Sequence, residues 1–508
     1  MSTSTNQTKF IGTLADEIIL VIVEWIDLDI KDWRKKKNPP CHITERAAQA
    51  ILNLSQCSRH INSLVQPFLY RRFVDNDGTR LVNLMVRILA VPSRAHYVKY
   101  FCYHCDQYGR PVPAITPNDL EHLEKVVSKA ASSPEDASEW TRSIQAGRWD
   151  AHAGLVLSQL LNLEKLEISA ILKGVLTMNW VPKVFERAIS VQGNQKTMSS
   201  PQPFSKLRSV SLVSPHGGHT SFSLRDIVPF LNVPSLRTFK ADKLIDSFEF
   251  DWEKCTAGFS ISKLRLSWIK PSLFARLLRQ IRALKQLTLF ADQGGMQQDT
   301  ESFMQDLRSQ RATLETLDLQ EPSNRFSPFN IRTLTDFPNL KSLTIHISLL
   351  ASHPAFPRSL QSLTVESTEE KNLKLLKTIL QSKDLHTPSL KSLDLRWGRT
   401  KYPDGRPSPE HPDFHAGFKP SRMRDLWEMC RAVDVEMKLA DEPPRFKFVS
   451  WDRPARPEGV RWPVVWMDGG TVIVRFGYPW VGFEECCRER GYDPESYDAG
   501  KVPSGAMQ

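Results

Sequence analysis

Residues 339–345 read NLKSLTI and residues 389–395 read SLKSLDL. Apolar side chains stand at the second, fifth and seventh places of both stretches. The last two are two residues apart, the spacing that puts side chains on one side of a strand, with a polar residue (Thr344, Asp394) turned the other way. The same spacing recurs in NLEKLEI (162–168), KLRSVSL (206–212), SLRTFKA (235–241), ISKLRL (261–266), ALKQLTL (283–289), TLETLDL (313–319) and SLQSLTV (359–365). YVKYFCY (97–103) reads as a first member of the series.

One match means little. With 41% of residues hydrophobic, three fixed places fit by chance about once in fifteen starts. Two further regularities decide the reading. The first apolar places, Leu207, Leu236, Ile261, Leu284, Leu314, Leu340, Leu360 and Leu390, follow one another at 20 to 30 residues. Proline stands two residues ahead of three of them, as Pro234, Pro338 and Pro388. That is the period of leucine-rich repeats. A single repeat cannot bury its own apolar side, so stacking must supply a continuous core. LFARLLRQI (273–281), ESFMQDLRSQ (301–310) and NLKLLKTILQ (372–381) are long enough to return the chain as helices.

The expected fold is therefore α/β: a small helical N-terminal module, an irregular leucine-rich-repeat solenoid with parallel strands on its concave side, and a small C-terminal cap containing β-structure. The boundaries read 10–75 for the helical module, 80–398 for the repeats, 399–440 for a Pro- and His-rich linker with a helix, and 441–508 for the cap. Within the cap, VVWMDGGTVIVRF (464–476) has two β-branched runs joined by a turn sequence and predicts a β-hairpin. Trp451, Trp462, Trp466 and Trp480 would accompany it.

Composition narrows the function classes. A 24% charged share with 41% hydrophobic residues is globular. The net charge of +10 is spread over 508 residues, too thin a density to point to a nucleic-acid partner by charge alone. The one dense basic run, KDWRKKK (31–37), reads as an exposed loop, with an import signal or nucleic-acid contact as the other reading. No stretch reaches the roughly 18 apolar residues of a membrane span, and acidic residues flank the apolar run at 18–23, unlike a signal peptide. Eight irregularly spaced cysteines do not form a disulfide framework. A reducing cytoplasmic or nuclear setting follows, without a membrane.

No nucleotide-cradling, metalloprotease or nucleophile-elbow motif occurs. Cys102, His104 and Cys105 in CYHC have metal-ligand spacing but no second pair, so buried strand cysteines are the preferred reading. The expectation is a chain with no catalytic residues, no metal and no cofactor.

The N-terminus carries TLADEIILVIVEWID (13–27), whose apolar residues run around more than one side of a helix. A second helix is predicted over 44–69, with Pro67 ending it. Together with AAQAILNLSQCSRHINSLVQPFLYRRF (47–73) this stretch resembles the F-box, on the residues Leu14, Asp16, Glu17, Ile18, Ile22 and Ile26 and then Leu52, Leu54, Ser55, Cys57 and Arg59. PFLYRRF (67–73) is similar to the ending found in fungal members that carry leucine-rich repeats. Ala15 stands where the family has proline, and a basic insertion at 30–45 separates the helical parts.

The resemblance implies a non-catalytic subunit of a cullin–RING ubiquitin ligase. A Skp-type adaptor would bind through Leu14, Glu17, Ile18, Ile22, Ile26, Leu52, Leu54 and Cys57. An unknown protein substrate would lie on the concave strand side, where Lys240, Arg265, Thr288, Asp318, Thr344 and Asp394 are the candidate contacts. A stand-alone repeat scaffold, whose N-terminal helices merely cap the array, is the alternative. A nuclear or RNA-associated binder is the third reading.

Overall fold

The helices at the N-terminus run directly into a strand, with no spacer between Arg71 and Arg72. The structure is a computed structural model that describes residues 15–35, 41–75, 79–106, 117–171, 174–194, 202–214, 220–245, 252, 258–267, 269–290, 300–320, 330–367, 371–397, 420–439, 464–468 and 471–475. It is mixed α/β, its main strands are parallel, and it divides into two compact units, the first ending at Ile261 apart from residues 280–282.

The first unit opens with α1 (Asp16–Lys35), α2 (Cys41–Cys57) and α3 (Arg59–Arg71). Five parallel strands follow: β1 (Arg72–Asp75), β2 (Tyr100–Asp106), β3 (Lys165–Ile171), β4 (Ser209–Val213) and β5 (Thr238–Asp242). They pair in that order, and the register aligns Val74, Cys102, Glu167, Ser211 and Lys240 in one row. The turn ahead of each strand is stitched to the previous one: Glu164 N–H donates to the Lys99 carbonyl, Arg208 to Glu164, and Arg237 to Arg208.

Behind these strands two carboxylates organise the helices, Asp150 buried and Asp226 half-buried. Asp150 accepts from the backbone N–H groups of Asn179, Trp180 and Val181 at 2.6, 2.7 and 3.1 Å. These include N–H groups that the first turn of the helix Trp180–Asn194 would otherwise leave without partners. Asp226 accepts from Met178 N–H at 3.0 Å. Burial pushes the carboxyl pKa of both above the usual range, Asp226 to about 6. Beside them Trp140 and Trp180 stack with ring centroids 4.9 Å apart over Gly154.

The second unit repeats the same grammar. Its parallel strands are β6 (Lys263–Ser267), β7 (Gln286–Phe290), β8 (Thr316–Gln320), β9 (Ser342–His346), β10 (Ser362–Ser367), β11 (Ser392–Trp397) and β12 (Glu436–Leu439), paired in chain order. Helices Pro271–Gln280, Thr300–Leu307 and Lys371–Gln381 return the chain where the apolar spacing predicts them. The turn bonds again run from repeat to repeat, each at 2.8 Å, from Glu315 to Lys285 and on through Lys341, Gln361 and Lys391 to Glu436. Leu284, Leu314, Leu340, Leu360 and Leu390, the first places of the trios, are all buried.

Four details differ from the sequence reading. The basic residues Lys31 to Lys35 belong to α1 rather than to a loop. The helix expected over 44–69 is two helices, because Ser58 adopts an extended backbone and caps α3 by accepting from Ile61 N–H at 3.1 Å. Pro67 sits inside α3, which continues to Arg71. The strand series begins before YVKYFCY, at β1, and runs past 398 to β12. The last strand escapes the trio pattern because the place three residues before Met437 is Asp434, a positive-φ turn residue (φ 52°), not an aliphatic one.

The predicted hairpin is present: Val464–Asp468 pairs antiparallel with Thr471–Arg475. The linker at 398–419, Lys36 and Lys37, Trp451, Trp462 and Trp480 lie outside the described residues.

Candidate functional site

α1 is built to be buried on more than one side, yet the described residues cover only part of it. Asp16 and Glu17 in its first turn oppose the positive end of the helix dipole. Ala15 occupies the preceding position, and its carbonyl accepts from Ile18 and Ile19 N–H at 3.0 and 3.2 Å. The helix therefore starts normally without a proline. Asp16 also meets His60 at 2.6 Å, tying the start of α1 to the start of α3 across solvent-exposed side chains.

Ile19 and Val23 are buried with Ile51, Ile61 and Val65 in one apolar cluster. Ile26, Leu54, Cys57, Leu64, Phe68 and Leu69 pack around it, partly covered. This cluster joins all three helices and closes without help from another molecule.

A second apolar stripe on α1 lacks such cover. Ile18, Val21, Ile22 and Trp25 are 48, 51, 41 and 72% exposed, and Leu52 on α2 is 40% exposed. At 100° per residue the α1 stripe is centred about 120° from the Ile19–Val23–Ile26 side. Exposed large apolar side chains are scattered singly on most surfaces, and four within two turns of one helix are not. From these fractional exposures the α1 stripe offers on the order of 400 Å² of apolar surface, within the range of the largest patch on a lone soluble chain.

Of the residues singled out from the sequence, Ile18 and Ile22 lie on this open stripe, and Leu52 is exposed on α2. Glu17 is exposed beside it. Ile26, Leu54 and Cys57 instead face the internal cluster, where they hold the helices together. Leu14 lies outside the described residues. Sequence reasoning missed Val21 and Trp25, although the i, i+3, i+4, i+7 spacing from Ile18 marks both.

The polar side of the strands is the second candidate surface, one row in each unit. In the first unit Lys240 is half-buried and ends the row Cys102–Glu167–Ser211. Tyr100 donates to Glu167 at 3.0 Å, and Lys165 lies 4.9 Å from the Tyr100 ring centre. Burial pushes the Tyr100 hydroxyl pKa far up, with Cys102 and Glu167 adding to the effect, so Tyr100 stays a neutral donor. Cys102 is buried in this row as a thiol beside Tyr100; the side chains of His104 and Cys105 lie outside the described set.

In the second unit the register aligns Arg265, Thr288, Asp318, Thr344, Thr364, Asp394 and Lys438. Arg265 is exposed and stacks its guanidinium 4.8 Å from the Phe290 ring centre. Thr288, Asp318 and Asp394 are half-buried. Asp318 accepts from the Gln320 amide through both oxygens at 3.0 Å. Thr344 and its cross-strand partner Thr364 are both buried and form floor rather than rim. Phe290 was not anticipated; it stands one place past the trio, where no pattern was being read.

Among the described residues no three His, Cys, Asp or Glu side chains converge as metal ligands, and no helix is long and apolar enough to cross a membrane. Compared with models of known protein families and with curated proteins, the chain matches neither.

Proposed function

We propose that this chain is the substrate-binding subunit of a cullin–RING ubiquitin ligase, in which an F-box formed by α1 to α3 docks on a Skp-type adaptor and a leucine-rich-repeat solenoid holds the target protein. The observation that carries the reading is the open stripe Ile18–Val21–Ile22–Trp25 next to a helical core that is already complete. A helix serving only as a cap on the repeats has no use for a second apolar side. A docking helix needs both.

Each apolar side chain covered on docking contributes about 1.5–3 kcal/mol if fully exposed beforehand. Four half-open anchors with Leu52 therefore suffice for a stable complex after the cost of association. The direct passage from α3 into β1 ties the repeats of the first unit to the docking helices, so that a target held there is brought to the ligase, which is the proximity part of catalysis. The transfer chemistry itself would belong to the ligase partners. The polar strand rows, with Arg265 and Phe290 in the second unit and Lys240 in the first, are the surfaces offered to the target. A cytoplasmic or nuclear location fits this role.

The test is co-purification. Ile18→Asp combined with Ile22→Asp places two charges in the stripe while leaving Ile19 and Val23 in the core. Loss of the adaptor with the repeats still folded supports the proposal; full recovery of adaptor by the double variant removes it in favour of the scaffold reading.

A further inference from the structure

The second unit is left unfinished along one strand. In β6 through β11 the leading inward residue, Leu264, Leu287, Leu317, Leu343, Leu363 and Leu393, is at most 2% exposed. Its counterpart in β12, Met437, is half-exposed. The helix Pro420–Ala432 covers the back of this strand well, since Leu426, Cys430 and Val435 are buried. What is missing is a neighbour at its side. Among the described residues β12 pairs only with β11, and Glu436 N–H points toward β11 by donating to the Lys391 carbonyl at 2.8 Å. Alternation along a parallel strand then turns the N–H groups of Met437 and Leu439 to the open side. An uncovered edge of this kind invites pairing, and stacked repeats need a terminal cover.

The same chain carries a segment with the complementary deficiency. The hairpin Val464–Asp468 with Thr471–Arg475 forms a two-stranded sheet by itself. Such a hairpin is marginal in water without a third strand or a packing surface. Its register sets Val465 opposite Val474 and Met467 opposite Val472, so all four positions on one side are apolar. Residues 440–463 join it to β12. Parallel addition needs a connection of about a dozen residues or more, and that length allows parallel or antiparallel pairing.

We propose that the C-terminal hairpin adds one of its strands to the open side of β12 and closes the second unit. The test is backbone amide exchange on the full chain, resolved to single residues. The proposal expects Met437 and Leu439 to exchange slowly at every protein concentration. Trp466→Pro with Ile473→Pro, which removes hydrogen bonds between the two hairpin strands, should speed both by tenfold or more and leave Leu287 in β7 unchanged. Fast exchange of Met437 and Leu439 in the unaltered chain overturns the proposal, whatever any variant does. So does slow exchange that survives the proline pair, and so does protection that appears only as concentration rises, which would assign the edge to a second copy.

Discussion

Trp25→Ala separates docking from folding more cleanly than any other single change. The indole is 72% exposed, so truncating it removes almost nothing from the Ile19–Val23–Ile51–Ile61–Val65 cluster. The side chain offers roughly 150–200 Å² of apolar surface. At about 25 cal/mol per Å², full cover would contribute about 4–5 kcal/mol, and cover of half to two-thirds about 2–3 kcal/mol. The adaptor affinity should therefore weaken by about 30- to 150-fold. Titration calorimetry with purified adaptor measures this, and urea unfolding should give a stability unchanged within about 0.5 kcal/mol. Ile61→Ala is the contrasting control. Its buried side chain lies in the cluster, so stability should fall by about 2–5 kcal/mol. An adaptor affinity within threefold of the unaltered chain for Trp25→Ala, or a large loss of stability from it, would refute the assignment of the two apolar sides.

Other outcomes follow from the same geometry. Gly154→Ala would bring a methyl to 3.1 Å from the Trp180 Cβ and 3.3 Å from the Trp140 ring, and should cost about 1–3 kcal/mol, read as a lower urea midpoint. Because burial holds Asp226 at a pKa of about 6, above its unfolded value, its contribution to stability is greatest in acid and is lost as pH rises through roughly 4 to 6. Asp226→Asn keeps an acceptor for Met178 N–H and should flatten that part of the stability–pH curve. Arg265→Glu and, separately, Lys240→Glu should change which proteins are captured while adaptor binding stays constant, measured by comparative mass spectrometry of pull-downs; joint loss of adaptor and targets would contradict two independent surfaces.

Much of this architecture was readable from one short pattern. The trio spacing located ten strands, β2 to β11, and the helices at 271–280, 300–307 and 371–381 fell between them where predicted. It worked because the buried places of a parallel strand tolerate only apolar residues. It failed at β1, which has no trio, and at β12, where Asp434 replaces the first aliphatic residue. The polar first letter of the trio also held information that was not used. Asn162, Ser235, Asn339 and Ser359 each bond a backbone carbonyl of the preceding turn, so that letter pins one repeat to the next. At the N-terminus the apolar run could not reveal which side of α1 stays open. Ile18 and Ile26 are equally apolar, and only their angles relative to α2 and α3 sort the first to the surface and the second to the core. Residues on the strand rows were legible by alternation, but alternation does not separate buried Thr344 and Thr364 from half-buried Thr288 and Asp318 in the same row.

The most direct measurement is the binding of this purified chain to a purified Skp-type adaptor by calorimetry. The account predicts a one-to-one complex whose formation has a negative heat-capacity change, as apolar burial requires, and which disappears with Ile18→Asp and Ile22→Asp together. No heat of binding at any temperature, or equal binding by the double variant, would contradict it.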